Sequence, residues 1–159
     1  MLTYLIPKLN ELLYVKNSIF YWKKTQGRRI AHKPAGWLSK GYVLIGICNE
    51  VHPAHRLLFS LHHNYCPEFI DHIDGNRANN KIENLRPATL NENARNCKKP
   101  SHNTSGFKGV GWDKNRNKWM AYITINNKFK SLGRYENIND ANLAYITAAK
   151  FYFGNFARI

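Results

Sequence analysis

The sequence predicts an α+β protein. It begins with a β-rich N-terminal segment, continues through a strand–loop–strand–helix segment, and ends in a small three-stranded antiparallel sheet packed on one helix. Three observations carry this. Trp119, Ala121, Ile123 and Ile125 alternate with Met120, Tyr122, Thr124 and Asn126, the period of a half-buried strand. Ala141, Ala144, Tyr145, Ala148, Ala149 and Tyr152 recur at helical spacing. Between Phe69-Ile70 and the stretch from Ile82 to Pro87 lies a run of turn formers, Asp74-Gly75-Asn76 and Asn79-Asn80.

Each element has a local reason. Leu12 to Val15 and Ile19 to Trp22 read as two strands joined across Lys16-Asn17-Ser18. The basic loop that follows, with Lys23, Lys24, Arg28 and Arg29, is either a solvated turn or a phosphate contact. Gly41 opens a β-rich run from Tyr42 to Ile47. Pro53 can start a helix through about Leu61, since proline costs nothing at the first helical position. Leu57, Leu58 and Leu61 share one face of it. Phe69-Ile70 is a short strand, Ile82 to Pro87 its return, and Leu90 to Asn96 a helix. Thr89 caps that helix, with Glu92 three residues on completing a capping box. Residues 99–106 read as a polar linker with Pro100 and Gly106. Then come a strand from Phe107 to Trp112, the alternating strand, a tight turn at Asn126-Asn127 and a strand from Lys128 to Gly133. The last helix is capped by Asn139 and ended by Gly154.

A chain of 159 residues makes one ordinary domain or two small ones, and 43% hydrophobic content means a folded protein. The formal charge of +14 suits a polyanion, nucleic acid first and anionic lipid second. No apolar run reaches the ~18 residues of a spanning helix. The stretch from Met1 to Lys8 lacks a basic start and contains Pro7, so it does not read as a secretory signal. A membrane partner is therefore not expected. Cys48, Cys66 and Cys97 are an odd number with no Cys-x-x-Cys pair, which speaks against a disulfide framework or a four-cysteine zinc site. A reducing cytoplasm is the simplest compartment.

The densest chemistry is Asp71-His72-Ile73-Asp74-Gly75-Asn76, followed by Asn79-Asn80, Glu83-Asn84-Leu85 and Asn91-Glu92-Asn93. Breaking a phosphodiester needs an activated water and a neutralised leaving oxygen. A divalent cation can supply the second. Asp71 offers a carboxylate, and Asn93 a neutral carbonyl oxygen. His72, with an ordinary pKa near ~6.5, can act as base, and Asn84 could hold the loop and orient the imidazole. Neighbours on a regular strand face opposite ways, so Asp71 and His72 share a site only if the strand ends or twists there. Taken singly, an Asp-His pair in a polar segment is more often surface than catalytic. A zinc pair of Cys66 and His72 lacks a second pair, and His62-His63 reads as surface.

The set as a whole, from His55-Arg56 through Asp71-His72-Ile73-Asp74-Gly75-Asn76, Asn79-Asn80, Glu83-Asn84-Leu85-Arg86 and Thr89 to Asn91-Glu92-Asn93, resembles the HNH homing endonucleases of phages and introns. The resemblance covers roughly Tyr42 to Asn96 and implies a ββα-metal finger. It implies Asp71 and Asn93 as metal ligands, His72 as general base, Asn84 as the loop-orienting residue, and His55 beside the site. His55 could equally be a packing residue. Asn93 stands where many such nucleases have His, so the chain looks like an H-N-N variant, which favours Mg²⁺ or Mn²⁺ over zinc.

Phe107-Lys108-Gly109-Val110, Lys118-Trp119-Met120-Ala121-Tyr122-Ile123, Leu132-Gly133-Arg134-Tyr135 and the Ala141–Ala149 helix resemble the AP2 DNA-binding domain over about Ser105 to Ala157. Such domains lay their sheet in the major groove. Met120, Tyr122 and Thr124 would face outward there. Lys108, Lys114, Arg116, Lys118, Lys130 and Arg134 could meet phosphates. Arg28, Arg29, Arg56 and Arg77 are further candidate contacts nearer the N-terminus. Gly111, Tyr122 and Thr124 replace outward arginines of the plant pattern.

The expected organisation is an HNH endonuclease domain over 1–98, a linker over 99–106 and an AP2-like domain over 107–159. Within the first domain, residues 1–65 form the β-rich segment and residues 66–98 the ββα-metal motif. The expected function is a site-directed, metal-dependent DNA endonuclease acting on double-stranded DNA as a monomer or DNA-bound dimer, without a small-molecule cofactor. The alternative is a non-catalytic AP2-like DNA-binding regulator. By family, the biological role would be homing.

Overall fold

Pro7 lies in the first turn of helix α1 (Ile6–Leu12), where its missing N–H costs nothing. The computed structural model describes residues 2–97 and 99–159 and divides into two units, Met1–Asn93 and Ala94–Ile159. In the first, Leu5, Leu9 and Leu13 recur every four residues and are buried. Strands β1 (Leu13–Lys16) and β2 (Ile19–Trp22) pair antiparallel as expected. Their turn places Asn17 and Ser18 at φ 51 and 61°, the left-handed pair that matches strand twist. Strands β3 (Trp37–Ser39), β4 (Tyr42–Ile47) and β5 (Glu50–Pro53) form a three-stranded antiparallel sheet in that order. The β4–β5 turn uses Cys48 and Asn49, both at positive φ.

Ile45 and Ile47 are fully buried, in one core with Leu57 and Leu58 of helix α2 (Ala54–His63). Pro53 is the extended cap before α2 rather than its first helical residue, because it is also the last residue of β5. Strands β6 (Phe69–His72) and β7 (Leu85–Ala88) form a two-stranded ribbon, with Asp71 opposite Arg86 and His72 opposite Leu85. The return strand begins at Leu85 and not at Ile82. Ile82–Asn84 is a single 3₁₀ turn, since Asn84 is engaged with the preceding loop. Phe59, Ile70 and Leu85 make a small core that ties the ribbon to α2. Helix α3 (Leu90–Arg95) starts at the expected capping box. Thr89 donates its N–H to Glu92 Oε2 at 2.7 Å, and Glu92 returns its own N–H to Thr89 Oγ1 at 3.2 Å.

In the second unit β8 (Val110–Asp113), β9 (Lys118–Ile125) and β10 (Lys128–Tyr135) form an antiparallel sheet with β9 central. Asn126 and Asn127 turn at φ 50 and 61°. β10 runs past the expected end at Gly133 because a bulge between Ser131 and Gly133 resets the register. Helix α4 (Ile138–Phe153) starts two residues before the expected place. Asn137 is the cap, accepting the Asn139 N–H at 2.8 Å, and Gly154 ends the helix at φ 52°. Val110, Ala121, Ile123, Ala141, Tyr145 and Ala149 form the core. Gly109, at φ 68°, lies so close to this helix that a Cβ would stand 2.1 Å from the Tyr145 ring. Residues just before it are bonded rather than loose: Ser105 Oγ donates to Val110 O at 2.8 Å, and Asn103 Nδ2 to Phe107 O at 2.8 Å. Among the described residues no helix is long and apolar enough to cross a membrane.

Candidate functional site

The loop from Ile73 to Asn84 is held by its own side chains. Asp74 accepts the Asn76 N–H at 2.7 Å on one oxygen and Asn79 Nδ2 at 2.7 Å on the other. Burial alone would raise the Asp74 carboxyl. The hydrogen bonds from Asn79, Asn76 and Asn84 outweigh it and hold the group below the ordinary carboxylate range. Asn84 supplies three further bonds. Its Nδ2 donates to Asp74 Oδ1 at 3.0 Å and to Asn79 O at 2.8 Å, and its Oδ1 accepts the Asp74 N–H at 3.0 Å. Asn84 thus cross-links both ends of the loop.

The imidazole of His72 is bonded by a different asparagine. His72 Nε2 lies 3.2 Å from Asn80 Oδ1, and both side chains are buried. An amide oxygen has no hydrogen to give, so Nε2 is the donor and the lone pair of the neutral ring sits on Nδ1. The His55 ring meets His72 edge to face, with centroids 4.8 Å apart, and Tyr42 lies within 6.1 Å of His72 and 5.4 Å of His55. Burial lowers the His72 pKa, against the opposing pull of the Asn80 bond and the Asp74 and Asp71 charges. Burial, His72 and Arg56 push His55 down to about 3, and its Nδ1 has no hydrogen-bond partner among the described residues. Both rings are neutral at pH 7.

Asp71 is 3% exposed, and Arg86 grips its Oδ2 from Nε at 2.8 Å and Nη2 at 2.6 Å. β6 stays regular through His72. By strand alternation His72 shares a face with Ile70 and Leu85, and Asp71 the opposite face with Arg86. Asn93 stands on the first turn of α3 with its N–H on Thr89 O at 3.0 Å.

The candidate contact residues fall into different settings. Arg28 is exposed at the tip of a turn closed by Gln26 and Arg29. Arg29 lies over the Trp22 ring at 4.5 Å and donates to Gly46 O at 3.3 Å. Arg56 donates to Glu68 O at 2.8 Å, and Arg77 covers the Tyr42 ring at 5.0 Å. Lys108 is half-buried and donates to Arg95 O and Cys97 O at 2.8 and 2.9 Å; burial lowers its pKa. Arg116 and Arg134 both pair with Asp113, at 3.5 and 2.7 Å, and Lys118 with Glu136 at 2.9 Å. Lys130 is in register with Ile123, so it faces α4, where it donates to Tyr152 Oη at 2.6 Å. Tyr122 and Thr124 lie on the outer face.

An HNH endonuclease family model matches residues 52–95, and an AP2 domain model matches residues 105–155. The chain is also 39% identical over 90 residues to Protein 3.8 of Escherichia phage T7, across 57% of this chain and 74% of that protein. The chain belongs to the phage-type HNH endonuclease family. No solved structure matches it. The HNH match spans α2, the β6–β7 ribbon, the asparagine loop and α3, so His55, His72, Asn80, Asn84 and Asn93 all lie inside it. The AP2 match spans the second unit's sheet and the whole of α4. Together the two domains indicate binding to DNA.

HNH nucleases use a metal ion, and the donor types here suit a hard one. Asp71 and Asn93 offer only oxygens. Among the described residues no group of three or more His, Cys, Asp or Glu could hold a metal, so an ion here would draw most of its ligands from water and DNA. Spacing alone gives no role to three residues of the cluster: Tyr42, Asp74 and Asn80. Asn80 is visible as one of a run of asparagines, but nothing in that run separates the amide that bonds the imidazole from those that shape the loop.

Proposed function

We propose that the chain is a site-directed DNA endonuclease of the homing type, hydrolysing phosphodiester bonds in double-stranded DNA with one divalent metal ion and His72 as general base. The observation that carries this is the fixed, neutral His72 imidazole, bonded at Nε2 by Asn80 and packed on His55 and Tyr42 at the end of β6. A neutral imidazole is the form that can accept a proton from water. Asn84 would maintain the loop that sets this geometry. Asp71 and Asn93 would hold Mg²⁺ or Mn²⁺, which supplies charge stabilisation at the phosphate and leaving oxygen when bound. Asp71 and His72 lie on opposite faces of β6 by strand alternation, so one phosphate would meet both only at the end of the strand, where His72 is the last residue.

The AP2 domain would hold the duplex, joined by Arg28, Arg29, Arg56 and Arg77 of the first unit. The proposed setting is the cytoplasm of a phage host, which the thiols of Cys48 and Cys66 suit. The second reading, a non-catalytic DNA-binding regulator, is favoured by one observation: Arg86 already neutralises Asp71. Supercoiled plasmid separates the two. Nicked or linear product with Mg²⁺, and none with EDTA, supports the nuclease. Retarded but uncut DNA under both conditions supports the regulator.

A further inference from the structure

The outer face of the β8–β9–β10 sheet carries Met120, Tyr122 and Thr124 from β9 and Phe129 and Ser131 from β10. Tyr122 and Phe129 stack with ring centroids 5.4 Å apart and planes 25° from parallel. Phe129 is 60% exposed, so its ring is open to a partner on this face. Gly111 lies opposite Met120 on the neighbouring strand, and a Tyr122 ring carbon stands 3.9 Å from where its Cβ would be. The tyrosine ring thus lies over the glycine at contact distance.

The cations near this face are already paired or turned away, including Arg134, which stands on it opposite Met120. Arg134 and Arg116 lean on Asp113, Lys118 is paired with Glu136, and Lys130 points to the helix side. Guanine is read by a guanidinium or ammonium reaching its O6 and N7. Thymine instead offers a C5-methyl group, which apolar and aromatic side chains meet. Lys114, exposed and without an ion pair among the described residues, sits in the β8–β9 turn, where it can meet a phosphate flanking the face; Lys128, also exposed, is the first residue of β10, opposite Ile125 on the helix side. The charge on this side therefore lies around the Asp113 end of the sheet, and the Tyr122–Phe129 pair stands away from it as an aromatic patch.

We infer that Phe129 and Tyr122 are specificity-determining residues that select A·T pairs through thymine methyl groups. This rests on the reading of the AP2 domain as the duplex-holding portion of the proposed endonuclease. It departs from guanine reading by outward arginines.

The full-length chain is used with EDTA present, so that binding is read without cutting. Preferred duplexes are selected from a random pool. Each thymine in the preferred site is then replaced by uracil, which removes the methyl group alone. The expected site is rich in A·T pairs, with at least one thymine whose replacement weakens binding roughly three- to five-fold, the scale of burying one carbon. Phe129→Ala binds the thymine and uracil duplexes equally, and Phe129→Tyr keeps the difference. A G·C-rich site, equal affinity for thymine and uracil at every position, or a thymine preference surviving in Phe129→Ala would each overturn the inference. Stronger binding to single strands than to duplex would do the same. No binding to any duplex would instead remove the functional reading, and this inference with it.

Discussion

His72 Nε2 and Asn80 Oδ1 are joined at 3.2 Å inside the protein, so one amide fixes which imidazole nitrogen holds the hydrogen. Replacing Asn80 with Ala frees the ring to turn and to change tautomer. We expect Asn80→Ala to slow strand cleavage by about 10- to 100-fold, a fraction of the 10²–10⁴ typical of a positioned base, with duplex affinity unchanged. Single-turnover cleavage and a gel shift on the same duplex check this. Wild-type rates would detach Asn80 from the chemistry.

Asn84 acts on the loop and not directly on the ring. Its amide makes three hydrogen bonds to Asp74 and Asn79. Asn84→Ala should cost roughly 2–3 kcal/mol of stability, at about 1 kcal/mol per bond. Cleavage should be lost as the loop loosens. Differential scanning calorimetry reads the first effect and plasmid cleavage the second. An unchanged melting temperature would show that the loop does not depend on this residue.

His55 gives the first unit an acid-sensitive component. It stays neutral in the fold, its pKa pushed down to about 3, whereas an unfolded chain protonates it near ~6.5. Below pH 6.5 the unfolded state takes up a proton that the folded state refuses, so stability falls as pH drops from 6.5 towards 3. The full effect is on the order of 2–4 kcal/mol. His55→Leu removes this component. Urea titrations at pH 7, 5 and 4 should show the wild type losing more stability than the variant. Parallel curves would count against a buried neutral His55.

Gly109 is a packing requirement in the second unit. An alanine there meets the Tyr145 ring at 2.1 Å and the Tyr122 carbonyl at 2.6 Å, at φ 68°. Gly109→Ala should destabilise residues 94–159 by about 2–4 kcal/mol, the sum of overpacking and left-handed backbone strain. Thermal melting followed by tyrosine and tryptophan fluorescence measures it. A change under 1 kcal/mol (about the cost of αL strain alone) would mean that helix α4 shifts freely.

Much of this architecture was legible because local pattern and tertiary burial agree. The alternation through Trp119 to Ile125 survives as β9 with Ala121 and Ile123 inside, and the Thr89–Glu92 box starts α3 where its spacing says. Helix α1 escaped notice because its buried leucines, four residues apart, cover only two turns. The Cys48-Asn49 turn escaped because cysteine carries no turn signature, and there the pairing of β4 with β5 imposes the backbone. The cap of α4 moved from Asn139 to Asn137 because three nearby polar residues could each have served, and only packing chose. At the candidate site, the residue types marked the segment, but the division of labour between Asn80 and Asn84 depends on how the loop closes. No spacing rule contains that.

The most direct test of His72 as the base is the His72→Ala variant on a cleavable duplex. In single turnover with Mg²⁺ it should lose strand cleavage by 10²-fold or more, while its gel-shift affinity stays within about two-fold of wild type. Cleavage at the wild-type rate in that variant would contradict the assignment and move the chemistry to another group.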